Sequence, residues 1–527
     1  MEYKKLGKIL GKIMILEAFL MLAPLAICFI YKESFIHILA FLVPIVALSA
    51  IGFLLQLPKP GRNNLYQKEG FALTAFVWIV MTLFGAIPFV INGEIPNYAD
   101  ACFEIMSGFT TTGSSVITDI TAMSHSSLFW RSFSHWIGGM GILVFVLIFI
   151  PESNDGSSMH LLRAESPGPQ VGKIVSKMKV TTRILYLIYL GMTALQIVIL
   201  CCGTITDYGA MCEDLGVTAA SAYHGDKVFN AFLTTFGCAG TGGFGFIPGS
   251  MEYFTPFAQY TVSIFLILFG INFSLYYLLL IGKVKDVLRS EEFKSYFVIL
   301  AAAVGLVFLS LIGRFESFPQ TYTTEESFRH SLFQVSSLIT TAGFSTTDFN
   351  VWPMLARTTL IMVMFSGAMA GSTAGGMKIS RIVISAKGAY VNVRKLINPR
   401  YVPKTKFEGK TLEQNTVNDV FAFITLYFFI LFSTVFLLSF DGVNGQTVNV
   451  VSDAGSYTVE HGFFSNFSAA LTCISNVGPA FEAVGPYASF AEYNTFSTVL
   501  LTFVMMLGRL EILPVLILFN KRTWKKV

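Results

Sequence analysis

The residues of this chain that could do chemistry are glycines and the small residues in front of them. Four stretches close on a glycine in the same way: Phe109-Thr-Thr-Thr-Gly113, Ala239-Gly-Thr-Gly-Gly243, Ile339-Thr-Thr-Ala-Gly343 and Ile474-Ser-Asn-Val-Gly478. A phenylalanine stands ten or eleven residues before each closing glycine (Phe103, Phe232, Phe333, Phe467). A small residue stands six before it (Ser107, Gly237, Ser337, Thr472), and an acid follows within ten (Asp119, Glu252, Asp348, Glu482). Four copies at intervals of 130, 100 and 135 residues read as an internal repeat. The chemistry such a set can do is cation dehydration. Backbone carbonyls from four loops can replace the water around an ion. Glycine supplies the positive φ that lets successive carbonyls turn to one side.

The elements that must position these loops are short helices. Apolar stretches 100–112, 226–240, 327–341 and 464–475 run into the glycines. Each makes a helix of about 20 Å, too short for a hydrocarbon layer of about 30 Å. They read as re-entrant half-helices whose C-terminal ends bring partial negative charge toward the same spot. Acids at the outer mouth raise the local cation concentration.

Two glycine patterns invite another reading. Gly240, Gly242 and Gly245 fit GxGxxG, and Gly371-Ser-Thr-Ala-Gly-Gly-Met-Lys378 nearly fits a phosphate loop. The first follows no strand and opens no βαβ unit; in the second, Met377 separates glycine from lysine. No nucleotide or other organic cofactor is expected.

The rest of the chain reads as membrane. Of 527 residues 54% are hydrophobic and only 13% charged, too few charges for the surface of a soluble protein of this length. Ten crossings are expected, at 10–31, 36–57, 71–91, 129–150, 182–202, 257–281, 295–313, 354–388, 417–440 and 493–520. The first is long and runs straight into a second span, unlike a cleaved signal peptide. Segments 1–12, 57–70, 151–183, 282–294, 378–410 and 521–527 hold 29 of the 36 lysines and arginines, so both termini are expected in the cytoplasm. No concentrated basic face with interleaved aromatics suggests nucleic acid as a partner. The seven cysteines lack metal-ligand spacing and read as free thiols, with a Cys202–Cys212 pair as the alternative.

The expected fold class is therefore an all-α integral membrane protein. Two N-terminal spans (1–60) precede four units of span, half-helix, glycine turn and span: 61–155, 156–290, 291–412 and 413–527. Each unit crosses twice, so all four share one orientation, which suits a ring around one axis and not an inverted repeat.

Together with His135-Trp-Ile-Gly-Gly-Met-Gly141, Arg163-Ala-Glu-Ser-Pro-Gly-Pro169, Gly371-Ser-Thr-Ala-Gly-Gly376 and Gly508-Arg-Leu-Glu-Ile512, the four glycine loops resemble the Trk/Ktr/HKT superfamily of potassium uptake proteins along nearly the whole chain. The two extra leading spans make it similar to the bacterial TrkH branch. The resemblance implies four pore-loop repeats around one central pore, in a homodimer in the bacterial inner membrane, surrounded by lipid, with potassium as the transported ion. It implies filter carbonyls at Thr111, Thr112 and Gly113; Thr241, Gly242 and Gly243; Thr341, Ala342 and Gly343; and Asn476, Val477 and Gly478. Sodium-permeable relatives carry serine at the first glycine, whereas this chain has Gly113.

The resemblance also implies a gate beneath the filter: an intramembrane loop containing Gly371, Ser372, Thr373, Ala374, Gly375 and Gly376, opposed by Arg509. Close helix packing is the competing explanation of those glycines. For Arg509 the competing explanation is a pair with Glu511 or Glu482. His135 reads as a satisfied core histidine, and Glu104 and Arg131 as boundary charges within reach of water. The longest cytoplasmic segments, 151–181 and 378–416, are too short for a nucleotide-binding domain. A separate cytosolic regulator is therefore expected, and the resemblance implies a TrkA-like nucleotide-binding protein. The functional expectation is passive, channel-like potassium uptake. A proton- or sodium-coupled symporter is the alternative, and a membrane-bound enzyme is the reading with least support.

Overall fold

A computed structural model of the chain describes residues 3–58, 67–141, 178–207, 226–315, 322–398, 404–453 and 455–524. The Arg163–Pro169 motif, Cys212 and the end of the expected 129–150 span lie outside them.

Among the described residues, six helical segments are long and apolar enough to cross a bilayer: Tyr3–Ile30, Phe35–Gln56, Glu69–Ile91, Val180–Cys202, Glu291–Leu311 and Gln414–Leu438. Side chains such as Phe53, Leu187, Val298, Phe429 and Phe436 stand exposed on them, which suits lipid and not water. The chain is a mostly helical, multi-pass membrane protein. Its two leading helices cross tightly, because a Cβ on Gly11 would lie 2.5 Å from the Gly52 carbonyl oxygen.

Three of the expected spans are not continuous. The sixth is two helices, Pro256–Phe269 and Phe273–Leu280, bent by 89°. Gly270 ends the first, and the Asn272 side chain caps the second by accepting from Ser274 N–H. The eighth breaks between Met354–Ser366 and Ile379–Ile397, where residues 367–378 are non-helical. The tenth stops at Arg509, the last residue of Thr495–Arg509. Glu511 (φ 54°) and Ile512 (φ 65°) then turn the chain into the left-handed region, so Arg509 is the last residue of a helix that Leu510 caps and does not sit mid-helix.

The fold is also not purely helical. Short antiparallel hairpins form at 406–411 and 447–460, the second pairing Thr447–Ser452 with Gly455–Glu460. Tyr457 of that hairpin donates to Asp348, and Asp453 accepts from Asp348 N–H at 3.0 Å, which docks the hairpin on the segment after the third glycine turn.

Candidate cation-binding site

Four short helices, Tyr98–Phe109, Lys227–Gly240, Thr324–Ile339 and Phe463–Ser475, carry the glycine loops. The first three begin with side-chain caps from Asn97, Asp226 and Thr323. All four close alike. Thr112, Gly242, Ala342 and Val477 donate their N–H to the carbonyls of Ser107, Gly237, Ser337 and Thr472 at 2.8–3.0 Å. The recurrent small residue is thus the acceptor that ends each helix. At one of them the reason for smallness is visible: a Cβ on Gly237 would lie 2.8 Å from the Phe344 ring.

The backbone then repeats one conformation four times. Thr111, Thr241, Thr341 and Asn476 have φ of 54–57°, and Gly113, Gly243, Gly343 and Gly478 have φ of 75–110°. A threonine in the left-handed region costs about 1–2 kcal/mol, so three such threonines in matching places mark a backbone held for a purpose. The crowded glycines of the second loop fall into the same register as the other three.

The four loops close on one another. A Cβ on Gly113 would stand 1.9 Å from the Gly242 carbonyl oxygen, and one on Gly243 would stand 1.9 Å from that of Ala342. One on Gly343 would stand 2.1 Å from that of Val477, and one on Gly478 would stand 2.7 Å from that of Thr112. Each closing glycine therefore presses on the carbonyl preceding the next loop's glycine, and the fourth returns to the first. That cycle requires glycine at all four positions.

Side chains lock the ring. Asn476 Nδ2 donates to Thr112 Oγ1 and to the Met505 carbonyl, both at 2.9 Å, and Ser114 donates to the Gly478 carbonyl at 2.8 Å, so the fourth loop is tied to the first. His135 lies 2.9 Å from the Gly108 carbonyl through Nδ1 and accepts from Phe244 N–H through Nε2 at 3.3 Å. It is a neutral, fully satisfied core histidine joining the first loop to the second. Glu104 and Arg131 correct the sequence reading. They form a 2.7 Å ion pair at 0% and 2% exposure, out of reach of water. Glu104 accepts from Val116 N–H, and Arg131 donates to the Gly245 carbonyl and lies over the Phe244 ring. Hydropathy placed them near a boundary, but the segments that follow the first two glycine turns, with Ser115 and Val116 and with Phe244 and Gly245, close on them. Asp348 is likewise fully buried, held by Asn350 N–H and Tyr457. It serves loop structure before it serves any ion.

Residues 367–378 pack against the third and fourth loops. Gly375 N–H donates to Thr341 Oγ1 at 2.6 Å, and a Cβ on Gly375 would lie 2.5 Å from the Ser475 carbonyl oxygen. Met369 N–H donates to the Gly270 carbonyl, and Gly371 accepts from Phe273 N–H, so the bend at 270–272 makes room for the segment. Arg509 Nη1 donates to the Thr373 carbonyl at 3.0 Å, and Nη2 donates to the carbonyls of Gly138 and Gly139. Of the acids weighed as its partners, Glu511 pairs with Arg381 and Glu482 accepts from Ser465.

The profile described as "TrkH: Cation transport protein" matches residues 37–526. The chain belongs to this family. The family is one of transport proteins, so the enzyme reading falls. Along its full length the chain is 29% identical to the Trk system potassium uptake protein TrkH of Salmonella typhimurium, covering 100% of both chains. It is 28% identical to TrkG of Escherichia coli, covering 96% of this chain and 95% of that protein. It superimposes on the crystal structure of the potassium transporter TrkH from Vibrio parahaemolyticus with a TM-score of 0.80, at 27% identity and 100% coverage of both chains.

Proposed function

We propose that this protein takes up potassium across the bacterial inner membrane through a channel-like pore, and that the ring of glycine turns is its selectivity filter. The single observation that carries the reading is the closed cycle of glycine against carbonyl, from Gly113 through Gly243 and Gly343 to Gly478. The four units 61–155, 156–290, 291–412 and 413–527 surround the pore, with the two leading spans outside it and both termini cytoplasmic. Carbonyls of Thr111, Thr112 and Gly113, with their counterparts in the other loops, replace potassium's water, while the converging helix ends add negative potential. That the full-length relatives are named potassium uptake proteins supports the choice of ion.

Segment 367–378 is the gate. It crosses beneath the ring, and Arg509 both holds it by the Thr373 carbonyl and places a positive charge on the ion's path. The protein works as a homodimer in lipid and is regulated by a separate TrkA-like nucleotide-binding protein on its cytoplasmic face. Current through the purified protein in planar bilayers tests this. It should reverse at the potassium equilibrium potential whatever the proton or sodium gradient. A reversal potential that follows either gradient would establish the symporter instead.

A further inference from the structure

The gating segment has one support on its cytoplasmic side that no sequence motif announced. Ala370 N–H donates to Glu292 Oε1 at 2.8 Å. Glu292 is the second residue of the helix Glu291–Leu311 and is 7% exposed, so this charge-assisted bond is sheltered from solvent. The backbone of the same residue is held from the other side. Glu408 Oε1 accepts from Glu292 N–H at 3.0 Å and from the Ser290 hydroxyl at 2.8 Å. The helix already has its own cap, since Ser290 Oγ accepts from Phe293 N–H, so Glu408 is not needed to start it.

Glu408 sits at the turn of the 406–411 hairpin. Its φ of 49° and the 70° of Gly409 are what a tight two-residue hairpin turn demands. Phe407 anchors the hairpin against Ile384, Val417 and Val420. Lys387, on the helix that continues directly from the gating segment, donates to Glu291 Oε2 at 2.6 Å and to the Lys406 carbonyl at 3.1 Å. The hairpin therefore grips both the helix that reaches into the gate and the helix that leaves it.

We propose that Glu292 is a positioning residue of the gate and that the 406–411 hairpin, through Glu408, is the lever by which events on the cytoplasmic face move it. This rests on the reading of 367–378 as the gate. Displacing the hairpin frees Glu292, and Ala370 is released from below.

The test uses full-length protein in proteoliposomes and rubidium flux. Glu292→Ala and Glu408→Ala should each raise basal flux about tenfold, the first by losing the bond to Ala370 N–H and the second by losing those to Glu292 N–H and the Ser290 hydroxyl. The double variant should exceed neither single one, because both act on one path. Glu408→Gln, which keeps an acceptor oxygen, should stay near wild type, and potassium-over-sodium competition should not change. A Ser372→Cys reporter should react faster with a cytoplasmic thiol reagent once Glu408 is Ala, while the melting temperature in detergent stays at its value with Glu408 intact; a lowered melting temperature would mark unfolding instead. Deletion of 370–376 separates the two claims. If it raises flux while Glu292→Ala and Glu408→Ala stay at wild-type level, the gate stands and the lever is wrong. If it leaves flux unchanged, the gate reading fails and the lever falls with it. Additive effects of the two alanines would also overturn the proposal.

Discussion

Replacing Gly113 by serine tests whether the ring selects the ion. Gly113 has φ of 86°, and a Cβ there would stand 1.9 Å from the Gly242 carbonyl oxygen, where real contacts begin near 3.0 Å. Two costs follow. Serine in the left-handed region loses about 1–2 kcal/mol. The Gly242 carbonyl must also retreat by about an ångström, which removes one quarter of a carbonyl layer from its place around the ion. If about 1–2 kcal/mol of this is lost by bound potassium and not by sodium, preference falls about 5- to 30-fold. The assay is rubidium uptake into proteoliposomes, competed in turn by potassium and sodium. Gly93→Ser is the matched control, because Gly93 also has positive φ (77°) but nothing within 4 Å of an added Cβ. It should leave competition unchanged. Wild-type competition in Gly113→Ser, in well-folded protein, would refute the placement of Gly113 at the ion.

Other substitutions test the supports of the ring and the gate. Arg509→Ala removes donors to the carbonyls of Thr373, Gly138 and Gly139 and should raise basal rubidium flux with little change in ion preference. Glu104→Ala leaves Arg131 buried without its partner and should cost roughly 3–5 kcal/mol, read as loss of thermal stability in detergent. Asn476→Ala cuts the tie between the fourth loop and Thr112, and should weaken potassium preference more than it lowers stability. Adding the separate cytosolic regulator to liposomes should change the flux of the wild type but not that of the 370–376 deletion.

The ring was legible in the sequence because its requirements are covalent. Positive φ pressed against a neighbouring carbonyl needs glycine, a helix end needs an acceptor of the right size, and fourfold recurrence leaves four copies of each signal. The breaks were less legible. Residues 257–281 form an uncharged, mostly apolar run and 493–520 one interrupted only by Arg509 and Glu511, and hydropathy records polarity without direction, so it misses an 89° bend and the turn at Glu511 and Ile512. Gly270 and Asn272 were the local cues to the first. The 447–460 hairpin had its own cue in the β-branched Thr447-Val-Asn-Val-Val and the glycine at 455. Partner choice was the least legible. Nothing local in the chain ties Glu104 to Arg131, 27 residues on, or Arg509 to carbonyls more than 130 residues away. Those pairings exist only after the loops have packed.

The proposed pore holds a cation among the carbonyls of Thr112, Gly242, Ala342 and Val477. Anomalous scattering from crystals of the protein soaked in rubidium tests it most directly. A peak is expected between these four oxygens, lost when sodium replaces rubidium. Anomalous density elsewhere along the molecule with none at the ring would contradict it.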